Sequence, residues 1–355
     1  MGASKRRVTL QDVADHAGVS RQTVSRVINN DPRVADETRQ RVQAAIEALG
    51  YRPNEAARSL ARGRANVIGI VVPYTADYLF SDPHLLQFIA GVDDEANKRD
   101  YSLLLSTGRA RNDLSAYERV ARTGFVDGVI VVETVLTAQG LDILKEQGLP
   151  CVVLGYGVRN ADIYCVHADD LGGARLGTLH LLSLGHRRIG VISGPEHTVI
   201  AVEDRLRGIE RTLREHGITL EPSLVVYGDF TSRSGYKGAR ELMNRPEPPT
   251  AIFALNDRMA IGAIRYLKEA GYRVPDDVSV IGFDNIPLAE SFEPPLTTIS
   301  QPTLQMGQQA ARLLFDLMKG YEPITRALVL PAELIVRHST GPAPQPADTS
   351  TKTHT

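Results

Sequence analysis

Within the first fifty positions apolar residues recur at helical spacing three times. Leu10, Val13, Ala14 and Ala17 fall at i, i+3, i+4 and i+7, one stripe over two turns. Thr9 stands before the stripe with Asp12 three residues on, the pattern of a capping box. Gly18 breaks this helix, and Ser20 is placed to cap the next, in which Val24, Val27 and Ile28 turn inward. Val42, Ala45, Ile46 and Leu49 repeat the stripe in a third helix over Asp36–Leu49, stopped by Gly50. The pattern predicts an all-α head of two short helices joined by a tight turn, then a longer one.

From Val67 the pattern changes to short, β-branched runs: VIGIVV (67–72), YSLLLST (101–107), GVIVV (128–132), CVVLG (151–155) and RIGVIS (188–193). LVVYGD (224–229), AIFALND (251–257) and VSVIGFD (278–284) continue the series, with helical patterns over 85–98, 171–184, 205–216 and 259–270 between strands. Continuous apolar strands alternating with helices predict parallel sheets covered on both faces. Two such α/β lobes fit, one on each side of a cleft.

The head's outward residues carry its chemistry. Arg21, Gln22 and Arg26 project from the second helix. Arg can pair bidentately with guanine and Gln with adenine in the major groove, and the start of the second helix meets base edges in helix-turn-helix docking. Ser20, Thr23, Ser25 and the basic Lys5, Arg6 and Arg7 suit phosphate contacts, which position such a module, and Asn29 belongs to the same DNA-facing set. The plainer reading is three amphipathic helices with a solvated charged face. The segment 53–64 weighs against it. Pro53 and Asn54 open a short helix with Ala56, Ala57, Leu60 and Ala61 on one face, too few apolar groups to be stable alone. Paired with a copy of itself, such a helix suits an apolar wedge into the minor groove, with Arg58, Arg62 and Arg64 beside phosphates.

Charge follows the same division. Through Ala65 the chain carries 12 Lys/Arg against 7 Asp/Glu, a net of +5, whereas the whole of its 355 residues is −2. A basic head on an acidic body assigns nucleic acid to the head alone. No apolar run is long enough to span a membrane, and no apolar segment precedes the first helix to make a secretory signal. Cys151 and Cys165 lie in apolar runs and need no disulfide. A cytoplasmic protein is expected.

In open α/β sheets ligands bind beyond the carboxyl ends of the strands. That rule singles out Asn256, Asp284, Asp229 and Phe230 at strand ends, Gln301 just after LTTIS, and Arg205, read as opening a helix after the loop SGPEHTVIAVED. A bidentate Arg, carboxylate acceptors, an amide and a stacking Phe form the set that a polyhydroxylated ligand needs. The alternative is that strand-end Asp and Asn merely cap the next helix.

AGVSRQTVSRVIN, ALGYRPNEAARSL and the following IGIVVP resemble the lactose repressor/galactose repressor (LacI/GalR) family of bacterial regulators, from about Val8 to Arg337. The resemblance implies a helix-turn-helix headpiece (1–52) and a hinge helix (53–65). It implies next a two-lobed, periplasmic-binding-protein-like effector and dimerisation domain (66–338). It also implies a homodimer on a pseudo-palindromic operator of double-stranded DNA, with Arg21, Gln22 and Arg26 reading bases and Ala57 and Leu60 entering the minor groove. Arg205, Phe230, Asn256, Asp284 and Gln301 match effector-cleft positions of the family. Asp82-Pro83-His84-Leu85 stands where members often carry Asn-Pro-Phe-Phe, so His84 and Leu85 replace two aromatics that Tyr74, Tyr78 and Phe80 could compensate. After CVVL, Gly155 and Tyr156 stand where sugar-binding relatives often place Asp and Arg. A small-molecule effector is implied, a sugar or sugar derivative first and a nucleobase as the alternative.

An enzyme on the same lobes is the rival class. The chain has no Walker loop, no Gly-x-Ser-x-Gly elbow, no His-Glu-x-x-His and no Cys/His metal spacing. LGGARLG lacks dinucleotide spacing, and His180 and His186, read as six apart on one helix, share no face. Neither catalysis nor a cofactor or metal is expected. The Pro/Thr/Ser-rich tail 339–355 is expected to be disordered, and without leucine heptads it gives no tetramerisation helix.

Overall fold

The computed structural model describes residues 8–51, 64–110, 113–132, 139–155, 163–196 and 200–344. The expected hinge helix with Ala57 and Leu60, the basic N-terminal residues, and Tyr156 lie outside them. The chain divides into two units, Met1–Ala65 and Asn66–Thr355.

In the first unit the helices are Leu10–Ala17, Arg21–Ile28 and Asp36–Leu49. Thr9 and Asp12 form the capping box, and Gly18 and Gly50 end their helices in the left-handed conformation, where glycine is unstrained. Val13, Ala14, Ala17, Val24, Val27, Val42 and Ala45 make the buried core of the unit. Ile28, Ile46 and Leu49 pack against it only partly buried.

The second unit holds two six-stranded sheets. The first comprises β1 (Val67–Val72), β2 (Ser102–Thr107), β3 (Gly128–Val132), β4 (Cys151–Leu154), β5 (Tyr164–Ala168) and β11 (Ala327–Leu330), in the order β2-β1-β3-β4-β5-β11. The second comprises β6 (Ile189–Ser193), β7 (Val225–Tyr227), β8 (Ala251–Ala254), β9 (Ser279–Asp284), β10 (Thr297–Ser300) and β12 (Glu333–Ile335), in the equivalent order β7-β6-β8-β9-β10-β12. All pairings are parallel except β10 with β12. The chain passes between the lobes at 168–170, 300–303 and 330–333. Strand order reverses at β1/β3 and at β6/β8, the switch points where the sheet edges part to leave a crevice.

Several sequence expectations are corrected here. The run at 224–229 contributes only three strand residues, after a 3-10 turn over Pro222–Leu224. β5, β10, β11 and β12 were not anticipated: β5 and β10 carry His167 and three hydroxyl residues, respectively, within short runs, and the apolar run of β11 is largely exposed at a sheet edge, with β12 partly exposed at the edge of the other sheet. Thr303–Met318 is a further unanticipated helix, which crosses from the second sheet to pack on the first lobe. His186 lies beyond the helix Asp170–Ser183 and is fully buried, bonded to Thr250 and Ser279. The glycines of LGGARLG let this helix press onto its sheet: a Cβ at Gly177 would stand 2.7 Å from the Phe253 ring. Residues 339–344 are ordered, against the expectation of a tail disordered from 339. Ser339 is buried, accepting from the Thr297 amide (2.8 Å) and donating to the Val280 carbonyl (2.6 Å), and the Ala343 amide reaches the Leu184 carbonyl. Unpaired polar groups of the second lobe bind this strap, an outcome that composition does not reveal.

Candidate functional site

The second helix of the head is set by its cap. The Ser20 hydroxyl accepts from the Thr23 amide at 3.1 Å and lies 2.9 Å from the Thr23 hydroxyl. With Val24 and Val27 fixed in the core, Arg21, Gln22, Arg26 and Asn29 are exposed, while Thr23 and Ser25 are half-buried. One continuous face therefore presents a fork-shaped donor, an amide and a second guanidinium, with hydroxyls at its margin.

The second unit holds a cavity of about 770 Å³, counted out to its mouth, between the carboxyl ends of both sheets. Of the cleft residues expected from the sequence and described in the structure, Asp82, His84, Arg205, Phe230, Asn256, Asp284 and Gln301 line it, and Asp229 does not. Gly155 lines it too. The two walls differ. The first lobe supplies Tyr74, Tyr78, Leu85, Phe88, Val132, Leu154 and Met306; Tyr74 and Tyr78 stack with ring centroids 4.7 Å apart. Phe80, the other aromatic expected to compensate here, is 63% exposed and turned away. The second lobe supplies a polar set of Arg205, Asn256 and Asp284, joined by Gln301 from the crossing at 300–303, while the first lobe adds Asp82, His84 and His167 beside its apolar groups.

Arg205 is at the centre of that set and does not open its helix, which runs Ile200–Glu215. Its Nε donates to Asp170 at 2.6 Å and its Nη1 to the Leu255 carbonyl at 2.5 Å. Its guanidinium lies 3.8 Å from the Phe283 centroid, and Asp284 is 3.8 Å from Nη1. Gln301 donates to Asp284 at 2.7 Å. Sequence reasoning missed Asp170, although the Asp169-Asp170 pair after a strand was its available signal. Burial pushes the Asp284 carboxyl up to about 7 against the pull of Arg205 and Gln301, with Asp170 adding repulsion. Behind it the fully buried Asp257 is raised as well, by burial first and then by Asp284. Desolvation pushes the His84 imidazole down to about 4, so His84 is neutral at pH 7. Its Nδ1 lies 3.2 Å from the Thr303 hydroxyl and its ring meets Phe88 edge-on.

Some of these residues also cap. Asn256 accepts from the Met259 amide at 2.9 Å, capping Asp257–Glu269, and donates to the Phe230 carbonyl at 3.1 Å. Asp229 is not in the cavity wall: it is spent on a turn, accepting from the amide of Thr231, which itself caps the helix Ser232–Met243. Phe230, Asp284 and Asn285 hold positive φ at 65°, 112° and 58°, strained conformations of the kind that gather at ligand clamps. A Cβ on Gly194 would come within 2.4 Å of the Phe230 ring, so glycine there admits the aromatic. Among the described residues no cluster could hold a metal ion and no helix is long and apolar enough to cross a membrane.

A helix-turn-helix head joined to a two-lobed small-molecule-binding body defines a class of ligand-responsive DNA-binding regulators. Residues 9–54 match the model of bacterial regulatory proteins of the lacI family, and 178–340 match the periplasmic binding protein-like domain. The chain is 40% identical over 337 residues to the HTH-type transcriptional regulator CelR of Thermobifida fusca, covering 94% of this chain and 99% of that protein. It is 35% identical to the transcriptional repressor CytR of Escherichia coli K12, over 95% and 97% of the two chains. The solved CelR–cellobiose complex superposes with a TM-score of 0.72 at 38% identity, over 94% of this chain and 100% of that one. The lac repressor dimer bound to operator and the anti-inducer ONPF gives 0.84 at 31%, over 95% and 100%. The chain belongs to the LacI family and is a DNA-binding transcriptional regulator.

Proposed function

We propose that the chain is a repressor acting in the cytoplasm as a homodimer on a pseudo-palindromic operator, its grip set by a carbohydrate in the inter-lobe cleft. The observation that carries this reading is the two-faced cavity. A wall of Tyr74 and Tyr78 can stack against the apolar face of a sugar ring, and opposite it Asp284, Asn256, Gln301 and Arg205 converge on one space. Cellobiose in the complex of the related CelR supports a disaccharide of glucose as the first compound to try. Gly155 and His84 leave room that a charged or bulky aromatic pair would fill, which favours a ligand longer than one ring. Arg21, Gln22 and Arg26 read bases, Ser20, Thr23, Ser25 and Asn29 fix the helix on the phosphates, and Ala57 and Leu60 enter the minor groove. The cleft binds without turnover.

The ligand moves the operator equilibrium only by its difference in affinity for the two lobe arrangements, and operator DNA changes ligand affinity by the same factor. The test is titration of the full chain, bound to a duplex selected from a random pool, with cellobiose, cellotriose, glucose and lactose. A shift in operator affinity with one of them, at concentrations that also raise the melting temperature, is expected. No shift with any sugar, alongside a response to nucleobases, would replace the effector class.

A further inference from the structure

Arg258 stands at an unfavourable place for a cation. It is the second residue of the helix Asp257–Glu269, the end at which the helix dipole repels positive charge. Its side chain is held elsewhere: Nη1 donates to Asp82 of the other lobe at 3.1 Å, and Nη2 lies 3.4 Å from the Ser81 hydroxyl. The guanidinium is 5.9 Å from the Tyr78 ring centroid, beside the aromatic wall. Only 16% of the Arg258 side chain and 8% of the Asp82 side chain is exposed, so solvent screens the pair weakly. Asp82 divides its oxygens, Oδ1 accepting from the His84 amide to cap Pro83–Asn97 while Oδ2 takes Arg258. The pair therefore ties the N-termini of two helices, one from each lobe, away from the crossings at 168–170, 300–303 and 330–333. Asn256, which caps the Arg258 helix, lines the cleft, as do His84 and Leu85 in the first turn of the other helix.

We propose that the Arg258–Asp82 pair is a latch that positions the two walls of the cleft, so that Arg258 sets ligand affinity without being part of the cavity lining. It acts through Asp82 and the two helix starts, holding the polar wall at working distance from Tyr74 and Tyr78 before a ligand arrives, a preorganisation that spares the ligand part of the ordering cost. The inference rests on the reading of the cleft as the effector site. Its chemistry allows a clean disconnection: Asp82→Asn keeps the cap, since Asn caps as well as Asp, and removes the charge. Arg258→Met removes the other partner and keeps the aliphatic stem.

The test is a double-mutant cycle on the full chain with cellobiose as the probe, read by calorimetry, together with hydrogen–deuterium exchange of the ligand-free proteins. Each single variant is expected to weaken cellobiose binding about tenfold, and the double variant to be no worse than either single one, because both remove one interaction. Arg258→Lys should recover part of the loss. Exchange should rise in Ala76–Ser81 and in the first turn of Asp257–Glu269 in all three disrupted variants. Affinities within twofold of the parent, losses that multiply in the double variant, or unchanged exchange would each overturn the latch. If the parent chain binds no cellobiose, cellobiose fails as the ligand of the cleft, and unchanged exchange in the ligand-free variants would overturn the latch by itself.

Discussion

The reading helix and the cleft carry their polar side chains in opposite ways. On Arg21–Ile28 the outward residues Arg21, Gln22 and Arg26 are exposed, as is Asn29 at its C-cap, and the fold depends on the other face. In the cleft Arg205, Asn256, Asp284 and Gln301 are 3–7% exposed, and each is bonded to a neighbour that the structure also needs. The difference teaches where substitution separates binding from stability. On the proposed reading of the head, one of its outward residues can be exchanged without touching the core, whereas a cleft residue cannot be removed without disturbing the lobe that presents it.

The largest effect expected is from Arg205→Ala. It leaves Asp170 and Asp284 buried without their guanidinium, a loss of about 3–5 kcal/mol for a broken buried pair, read as a fall of several degrees or more in melting temperature together with loss of the ligand response. Unchanged melting would place Arg205 with the head residues and break the contrast.

The pH dependence follows. Asp284 has its carboxyl raised from 3.8 to about 7, so its contribution to stability is fully present below the unfolded value and is lost as pH rises through about 7. His84 runs the other way: lowered from 6.5 to about 4, it contributes stability above 6.5 that is lost as pH falls through about 4. Asp284→Asn should remove a fall in melting temperature that accumulates as pH rises from about 4 to about 7. His84→Asn should remove a fall that accumulates as pH drops from about 6.5 to about 4. The two oppose each other over the shared range, so each variant is compared with the parent. If each variant keeps the parent's slope, those groups are not the ones titrating.

Gln22→Ala sharpens the comparison from the head side. Discrimination at one operator base pair should fall by about 1–3 kcal/mol, with stability moving by no more than about 0.5 kcal/mol, in paired binding assays and thermal melts. Ser20→Ala is the smallest and the intermediate case. Loss of the bond to the Thr23 amide should cost about 1 kcal/mol of head stability, and it should weaken specific and non-specific DNA binding alike because a phosphate-side group carries no sequence information.

Legibility in the sequence divides along the same line. Thr9, Asp12, Gly18 and Ser20 are local signals acting over three or four residues, and the head formed as they required. The strand-end rule brought Asn256, Asp284, Gln301, Phe230 and Arg205 to one cavity, since parallel sheets place those ends together. It failed at Asp229, where a Thr two residues on competes for the carboxylate. It also passed over Asp170: the Asp169-Asp170 pair marks a helix start, but its meeting with an arginine 35 residues later is a tertiary contact. The helix Thr303–Met318 was legible and missed: Met306, Ala310, Leu314 and Phe315 keep helical spacing and are buried.

By itself the sequence determined the caps, the periodicities, the alternation of strand and helix, and with them a basic reading head on a two-lobed body. Only the tertiary structure decided that Asp82 would share its carboxylate between a helix cap and the Arg258 latch, that residues 339–344 would be strapped onto the second lobe, and that Arg205 would be held between Asp170 and Asp284. The reason is one of range. Backbone preference and hydrophobic period act within a few residues and can be read along the chain. The partner of a buried charge is whichever group the packed lobes bring within about 3 Å, and that is settled when the helices and sheets close on one another.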